Sequence, residues 1–164
     1  MGSDGPSVLV VDDDEMNRLT LAGLLETAGY QTRIAEDGYQ ALEALEDHSF
    51  DAILLDILMP GIDGLEVLRQ VKGDSRMWRT PVIVISAVDE TSSIVRCLEL
   101  GAEDFVSKPF DPVVLRARIN AVLARRRFGS LEAEYHKIVE AQGAEIAALK
   151  ARLAAYEAGD RGSE

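Results

Sequence analysis

The sequence predicts an α/β fold: a five-stranded, doubly wound parallel sheet with an extended C-terminal helix. Three observations carry that expectation. Short apolar runs alternate five times with stretches of helical spacing. Most of the runs are apolar throughout, so the sheet they form must be covered on both faces. Single helices between strands imply parallel strands joined by right-handed crossovers.

Val8-Leu9-Val10-Val11 is the first run, ended by acidic residues. Helical spacing follows in Met16, Leu19, Leu21, Leu24 and Leu25, and Gly29 closes it. Residues 31–35 alternate more and read as an edge strand. Asp37-Gly38 is a turn into a second helix marked by Tyr39, Leu42 and Leu45, reaching toward Phe50. Residues 52–55 are the third strand. Met59-Pro60-Gly61 and Gly64 punctuate a loop, after which Leu65, Val67, Leu68 and Val71 begin a third helix. Pro81 introduces the fourth strand, residues 82–85. A fourth helix runs from about Glu90 to Leu100 and stops at Gly101. Residues 104–107 are the fifth strand. Asp111 as N-cap and Pro112 at the first helical position open the last helix. Val113, Val114, Ala117, Ile119, Ala121 and Val122 are its expected packing face. The globular domain thus spans residues 7–123.

Composition narrows the class. The chain has 164 residues, 47% of them hydrophobic, and one cysteine, Cys97. No internal disulfide can form, and a reducing, cytoplasmic location is expected. No apolar stretch approaches the length of a membrane span. Residues 1–6 resemble a frayed tail or cloning scar more than a signal peptide. Residues 1–124 hold 22 acidic and 10 basic side chains, and residues 125–164 hold 7 of each, so the globular part carries the whole net charge of −12. Such a surface repels nucleic acid phosphate. The basic run Arg125-Arg126-Arg127 reads as a solvated helix face.

The residues just past each strand carry the chemistry. Strand one ends in Asp12-Asp13, strand three in Asp56, strand four in Ser86, and strand five in Ser107-Lys108-Pro109. All lie at carboxyl ends, where doubly wound sheets bind ligands. Three carboxylates at one rim repel strongly, and one lysine cannot neutralise them. A divalent cation can, and all-oxygen ligation suits Mg²⁺. One carboxylate can then act as nucleophile toward a phosphoryl group.

These segments, Val10-Val11-Asp12-Asp13-Asp14, residues 55–64, Val84-Ile85-Ser86-Ala87 and residues 105–110, resemble the receiver domains of bacterial two-component response regulators. The resemblance implies a flavodoxin-like sheet of order 2-1-3-4-5. It implies that Asp56 is the phosphoacceptor, that Asp12, Asp13, Asp56 and the Leu58 carbonyl hold Mg²⁺, and that Lys108 contacts the phosphate. Ser86 would be the switch hydroxyl and Phe105 the aromatic switch residue, and the Lys108–Pro109 bond would be cis. A histidine kinase or phosphotransfer protein would be the donor. Leu58 and Val88 stand where side chains influence hydrolysis, and both are apolar, so slow self-dephosphorylation is expected.

Other readings compete. Asp12–Asp14 could simply cap the helix after them, and Asp14 is expected to do only this. Asp63 reads as a loop acid, His48 as a surface histidine, Trp78 as a loop aromatic and Cys97 as a helix packing residue. Haloacid-dehalogenase-like phosphatases also use an aspartate nucleophile with Mg²⁺, but Asp12-Asp13-Asp14-Glu15-Met16 lacks their terminal Thr or Val. A receiver serving only as a pairing scaffold is the remaining alternative.

The last helical pattern continues past the domain. Leu131, Tyr135, Ile138 and Gln142 step by 4, 3 and 4, and Ile146, Leu149, Leu153 and Tyr156 by 3, 4 and 3. Each set is a heptad seam, and the extra step between them is a stutter. Gly129 and Gly143 weaken the helix, with Gly129 the expected hinge. Residues 124–158 are therefore expected to form a parallel coiled-coil homodimer, with 159–164 a disordered tail. An output domain would have to lie outside this sequence, or the protein acts by pairing alone.

Overall fold

The computed structural model describes residues 5–87 and 90–160. Val88 lies outside them, as do residues 1–4 and 161–164 of the two expected tails. The elements follow as β1 (Ser7–Val11), α1 (Glu15–Thr27), β2 (Gln31–Ala35), α2 (Gly38–Asp47), β3 (Ala52–Leu55), α3 (Gly64–Gly73), β4 (Val82–Ser86), α4 (Thr91–Glu99), β5 (Asp104–Ser107) and α5 (Pro112–Asp160). Every strand pair is parallel, and the sheet order is β2-β1-β3-β4-β5. The chain steps outward from β1 to β2, then returns past β1 to β3. That reversal opens a crevice at the carboxyl ends of β1 and β3.

The pleat sends alternate residues of each strand to opposite faces. Leu9, Val11, Ile53, Leu55, Val82 and Val84 meet Ala41, Leu45, Val67, Leu68, Val71 and Cys97 from α2, α3 and α4. Val8, Val10, Leu54, Ile83 and Ile85 meet Leu21 and Leu25 of α1 and Leu115, Ile119 and Val122 of α5. Each fully buried Leu, Ile or Val contributes roughly 1.5–3 kcal/mol, so these two layers fix where the strand ends lie.

Three helices start on aspartate caps. Asp14, Asp37 and Asp63 accept from the backbone N–H of Asn17, Gln40 and Glu66 at 2.9, 2.8 and 2.9 Å. Asp63 is thus the N-cap of α3 and not merely a loop acid. Asp111 accepts from Val113 N–H at 2.8 Å and opens α5. Gly29 and Gly101, with φ of 90° and 108°, turn the chain after α1 and α4, a conformation glycine adopts freely.

The buried helix faces differ from those expected. Met16 and Leu19 are 71% and 55% exposed, and α1 instead buries Arg18, Leu21 and Leu25. On α5, Val113, Val114, Ala117 and Ala121 are exposed, whereas Leu115, Ile119 and Val122 are buried. Only residues spaced three or four apart on one stripe reach the sheet, and the other apolar residues of these helices lie off that stripe. Phe50 is buried but lies past the end of α2. Pairing begins before residue 7, since the Pro6 carbonyl accepts from Gln31 N–H at 2.9 Å.

The chain divides into two compact units, Met1–Ala124 and Arg125–Glu164. In the second unit the described residues are helical to Asp160, two positions beyond the expected end, and none is buried. Neither Gly129 nor Gly143 interrupts α5.

Candidate functional site

Backbone hydrogen bonds extend the sheet past the ends of its strands. Asp12 N–H donates to the Ala35 carbonyl at 3.2 Å, Asp56 N–H to Val11 at 2.9 Å, and Lys108 N–H to Ser86 at 2.9 Å. These bonds carry Asp12, Asp56, Ser86 and Lys108 to one rim. Asp12, Asp56 and Ser86 are buried, Asp13 is exposed, and the Lys108 side chain is 17% exposed.

Lys108 Nζ bridges two carboxylates, at 2.7 Å from Asp12 Oδ2 and 3.1 Å from Asp56 Oδ2. The remaining oxygens are also engaged. Asp12 Oδ1 accepts from Asp14 N–H at 2.9 Å, and Asp56 Oδ1 accepts from Leu58 N–H at 3.2 Å. One carboxylate oxygen from each of Asp12, Asp13 and Asp56 lies within 4.8 Å of the others. Three negative groups and one ammonium leave an excess negative charge in a half-enclosed crevice, a donor set suited to a hard divalent cation.

Electrostatics reflect the same imbalance. Burial pushes the Asp56 carboxyl above its ordinary value. Lys108 pulls it back by charge and hydrogen bond, and Asp12 pushes it up again. For Lys108, burial opposes the charge, but the hydrogen bond to Asp12 and the charges of Asp56 and Asp12 outweigh it, and the ammonium is held above its usual range. Lys108 therefore remains charged, while Asp56 is the group whose ionisation burial makes less favourable than in water.

Phe105 pairs in register with Val84 and packs half-buried against the core, next to the strand that ends in Ser86. Leu58 keeps its side chain 58% exposed at the mouth of the crevice. The Lys108–Pro109 bond is cis. Gly64 is required by close approach, since a Cβ there would stand 2.2 Å from the Asp56 carbonyl oxygen. Its N–H donates to the Ile57 carbonyl at 2.9 Å, which seats α3 against the turn leaving β3.

One residue of this neighbourhood was not anticipated. Arg18 is buried on α1, and its Nη1 donates to the Asp12 carbonyl at 2.8 Å, while Nη2 lies 3.8 Å from Glu36. It fastens the turn that carries the acidic pair. The signal in the sequence was an arginine three and seven residues before Leu21 and Leu25, on the apolar stripe. The other residues singled out play local parts. His48 is exposed and paired with Arg33 at 2.6 Å. Trp78 is half-exposed under the Arg79 guanidinium at 5.1 Å. The Cys97 thiol is buried, and burial raises it above its ordinary value. Among the described residues no helix is long and apolar enough to cross a membrane.

Comparison with known proteins agrees with this fold. The family model described as the response regulator receiver domain matches residues 8–120. The phosphate regulon transcriptional regulatory protein PhoB of Pseudomonas aeruginosa is 40% identical over 129 residues, covering 79% of this chain and 56% of that protein. The alkaline phosphatase synthesis transcriptional regulatory protein PhoP of Bacillus subtilis is 39% identical over 127 residues, covering 77% and 52%. The chain thus spans about half the length of these curated relatives. The solved receiver domain of the Francisella response regulator 1452 superposes with a TM-score of 0.70 at 34% identity, covering 74% of this chain and 98% of that one.

Proposed function

The chain belongs to the response regulator receiver domain family, and from that premise we propose that Asp56 accepts a phosphoryl group and that the protein acts as a phosphorylation-operated switch. The observation that carries this reading is the gathering of the Asp12, Asp13 and Asp56 carboxylates within 4.8 Å, with Lys108 bridging Asp12 and Asp56.

An Asp56 oxygen forms the new bond to phosphorus, and the bond from phosphorus to the donor breaks, its electron pair leaving with the donor. A histidine kinase, a phosphotransfer protein or a small acyl phosphate would serve as donor, in the cytoplasm. Mg²⁺ is the cation the donor set fits; Asp12, Asp13, Asp56 and the Leu58 carbonyl would hold it, and it would supply charge neutralisation at the phosphoryl oxygens. Lys108 adds a fixed positive charge on the same side. Leu58 N–H and Lys108 Nζ hold the two Asp56 oxygens apart and aim the carboxylate. Ser86 hydrogen-bonds the phosphoryl group once it arrives, and Phe105 responds by moving inward. Leu58 cannot orient an attacking water, so the acyl phosphate decays slowly. The helix beyond the receiver pairs with a second copy through residues 124–158, and the change at β4 and β5 is transmitted to that pair. An output domain, where one exists, reads the result.

The test is incubation with acetyl phosphate and Mg²⁺, followed by intact-mass measurement. One phosphoryl group per chain, labile to hydroxylamine and absent from Asp56→Asn, is the expected result. Failure of the wild type to take up phosphate would leave a pairing scaffold, and continuous turnover of a generic phosphate ester would make the protein a phosphatase.

A further inference from the structure

From Arg125 onward α5 buries none of its described residues, yet it carries large apolar side chains at regular spacing. Phe128, Ile138, Leu149 and Tyr156 are 72%, 56%, 54% and 78% exposed. Phe128 stands three residues before Leu131 and starts the same seam one layer earlier. Tyr135 to Ile146 spans eleven residues, one unit of the eleven-residue repeat that straightens a left-handed supercoil. Such a unit widens the apolar stripe by one position, and Val139, beside Ile138, fills it.

The residues flanking the seam are not arranged at random. In a parallel pair, the residue just before alternate seam layers, here Phe128, Tyr135, Ile146 and Leu153, faces the residue five positions further along the partner helix. Those pairs here are Arg127 with Glu132, Glu145 with Lys150, and Arg152 with Glu157, all of opposite sign. Glu134 meets Val139, and among these four pairs none is like-charged. Within one helix, residues five apart are not neighbours. The five-residue spacing of opposite charges is therefore not explained by contacts within one helix. Gln142 adds a polar layer, and two such amides satisfy each other only when the helices are aligned residue for residue. A slip sets each amide against an apolar layer.

We propose that Arg125–Asp160 recognises a second copy of this chain, parallel and in register, with orientation set by the three flanking charge pairs and register by Gln142. The inference rests on the pairing proposed above and specifies its geometry.

Two measurements on the full chain test it. The first is a charge cycle at Glu145 and Lys150, read as the dimer dissociation constant by sedimentation equilibrium. Lys150→Glu sets like charges opposite each other at two symmetric places and weakens the dimer by about fivefold to tenfold. Glu145→Lys does the same, and the double variant recovers wild-type affinity. The second is oxidation of Leu149→Cys, with wild type as control because Cys97 is buried. Facing thiols at one seam layer cross-link in a parallel, in-register pair. In an antiparallel pair overlapping along the whole seam from Phe128 to Tyr156 they stand about 21 Å apart. A dimer without recovery in the double variant, or without the cross-link, overturns this geometry and leaves the pairing intact. A chain that stays monomeric overturns both, whereas uptake of phosphate by Asp56 is read separately and is untouched by either outcome.

Discussion

Replacing the phosphoacceptor by its neutral isostere is expected to stabilise the metal-free protein. At an effective dielectric of about 20, an ionised Asp56 gains about 5 kcal/mol from Lys108 at 3.1 Å. Asp12, within 4.8 Å, takes back at least about 3 kcal/mol, and Asp13 takes a further, solvent-screened share. Burial acts in the same direction as the carboxylates. With burial included, the balance falls against ionisation and holds the carboxyl above its ordinary value. Asn at 56 keeps one acceptor oxygen, enough for Leu58 N–H, leaves Lys108 paired with Asp12, and removes that cost. Urea unfolding in EDTA at neutral pH should therefore show Asp56→Asn more stable than wild type, by an amount on the order of 1 kcal/mol as is usual for a single substitution. The sign in pH comes from the raised carboxyl. Its contribution to stability is present below the unfolded-state value and is lost as pH rises through the folded-state value. The gap between variant and wild type consequently closes on acidification below the ordinary carboxylate range. Millimolar Mg²⁺ should stabilise wild type and reduce or reverse the difference, because the cation binds only the folded cluster. A less stable Asp56→Asn in EDTA, or a wild-type midpoint that Mg²⁺ does not move, refutes the reasoning.

The same geometry sets three further outcomes. Lys108→Met leaves two buried carboxylates without their ammonium, and should cost about 1–3 kcal/mol in EDTA, with the loss growing as pH rises, measured by urea unfolding. Gly64→Ala forces a Cβ to 2.2 Å from the Asp56 carbonyl oxygen, which is backbone and cannot move aside. It should destabilise by about 3 kcal/mol, measured as a lowered thermal midpoint, and wild-type stability would show that the turn can relax. Leu58→Asn supplies a hydrogen-bonding group at the crevice mouth. It should shorten the acyl phosphate lifetime about tenfold, equivalent to about 1.4 kcal/mol in the barrier, measured by decay of the phosphorylated mass after donor removal.

The fold was legible because several local signals agreed. The apolar runs at Val8, Ala52 and Val82 are buried on both faces, and Asp14 and Asp111 stand where caps were expected. The gathering of Asp12, Asp13 and Asp56 followed from strand ends alone, because parallel strands deliver their carboxyl ends to one edge. Less legible was which apolar residues of a helix turn inward. Met16, Leu19, Val113 and Val114 are as apolar as the residues that are buried, and only the angular position of the stripe on the sheet separates them. Arg18 was missed because an arginine on an apolar stripe reads as an outlier until the Asp12 carbonyl is found in front of it. The engagement of Lys108 by Asp12 and Asp56 together is a matter of side-chain reach, which spacing along the chain does not encode.

The most direct measurement is a crystal structure of the protein with Mg²⁺ and beryllofluoride. The account predicts one cation touching Asp56, at least one of Asp12 and Asp13, and the Leu58 carbonyl, with beryllofluoride on Asp56 and Lys108 within hydrogen-bond distance of its fluorines. A cation held by Asp12 and Asp13 alone, with Asp56 unmodified and turned away, would contradict it.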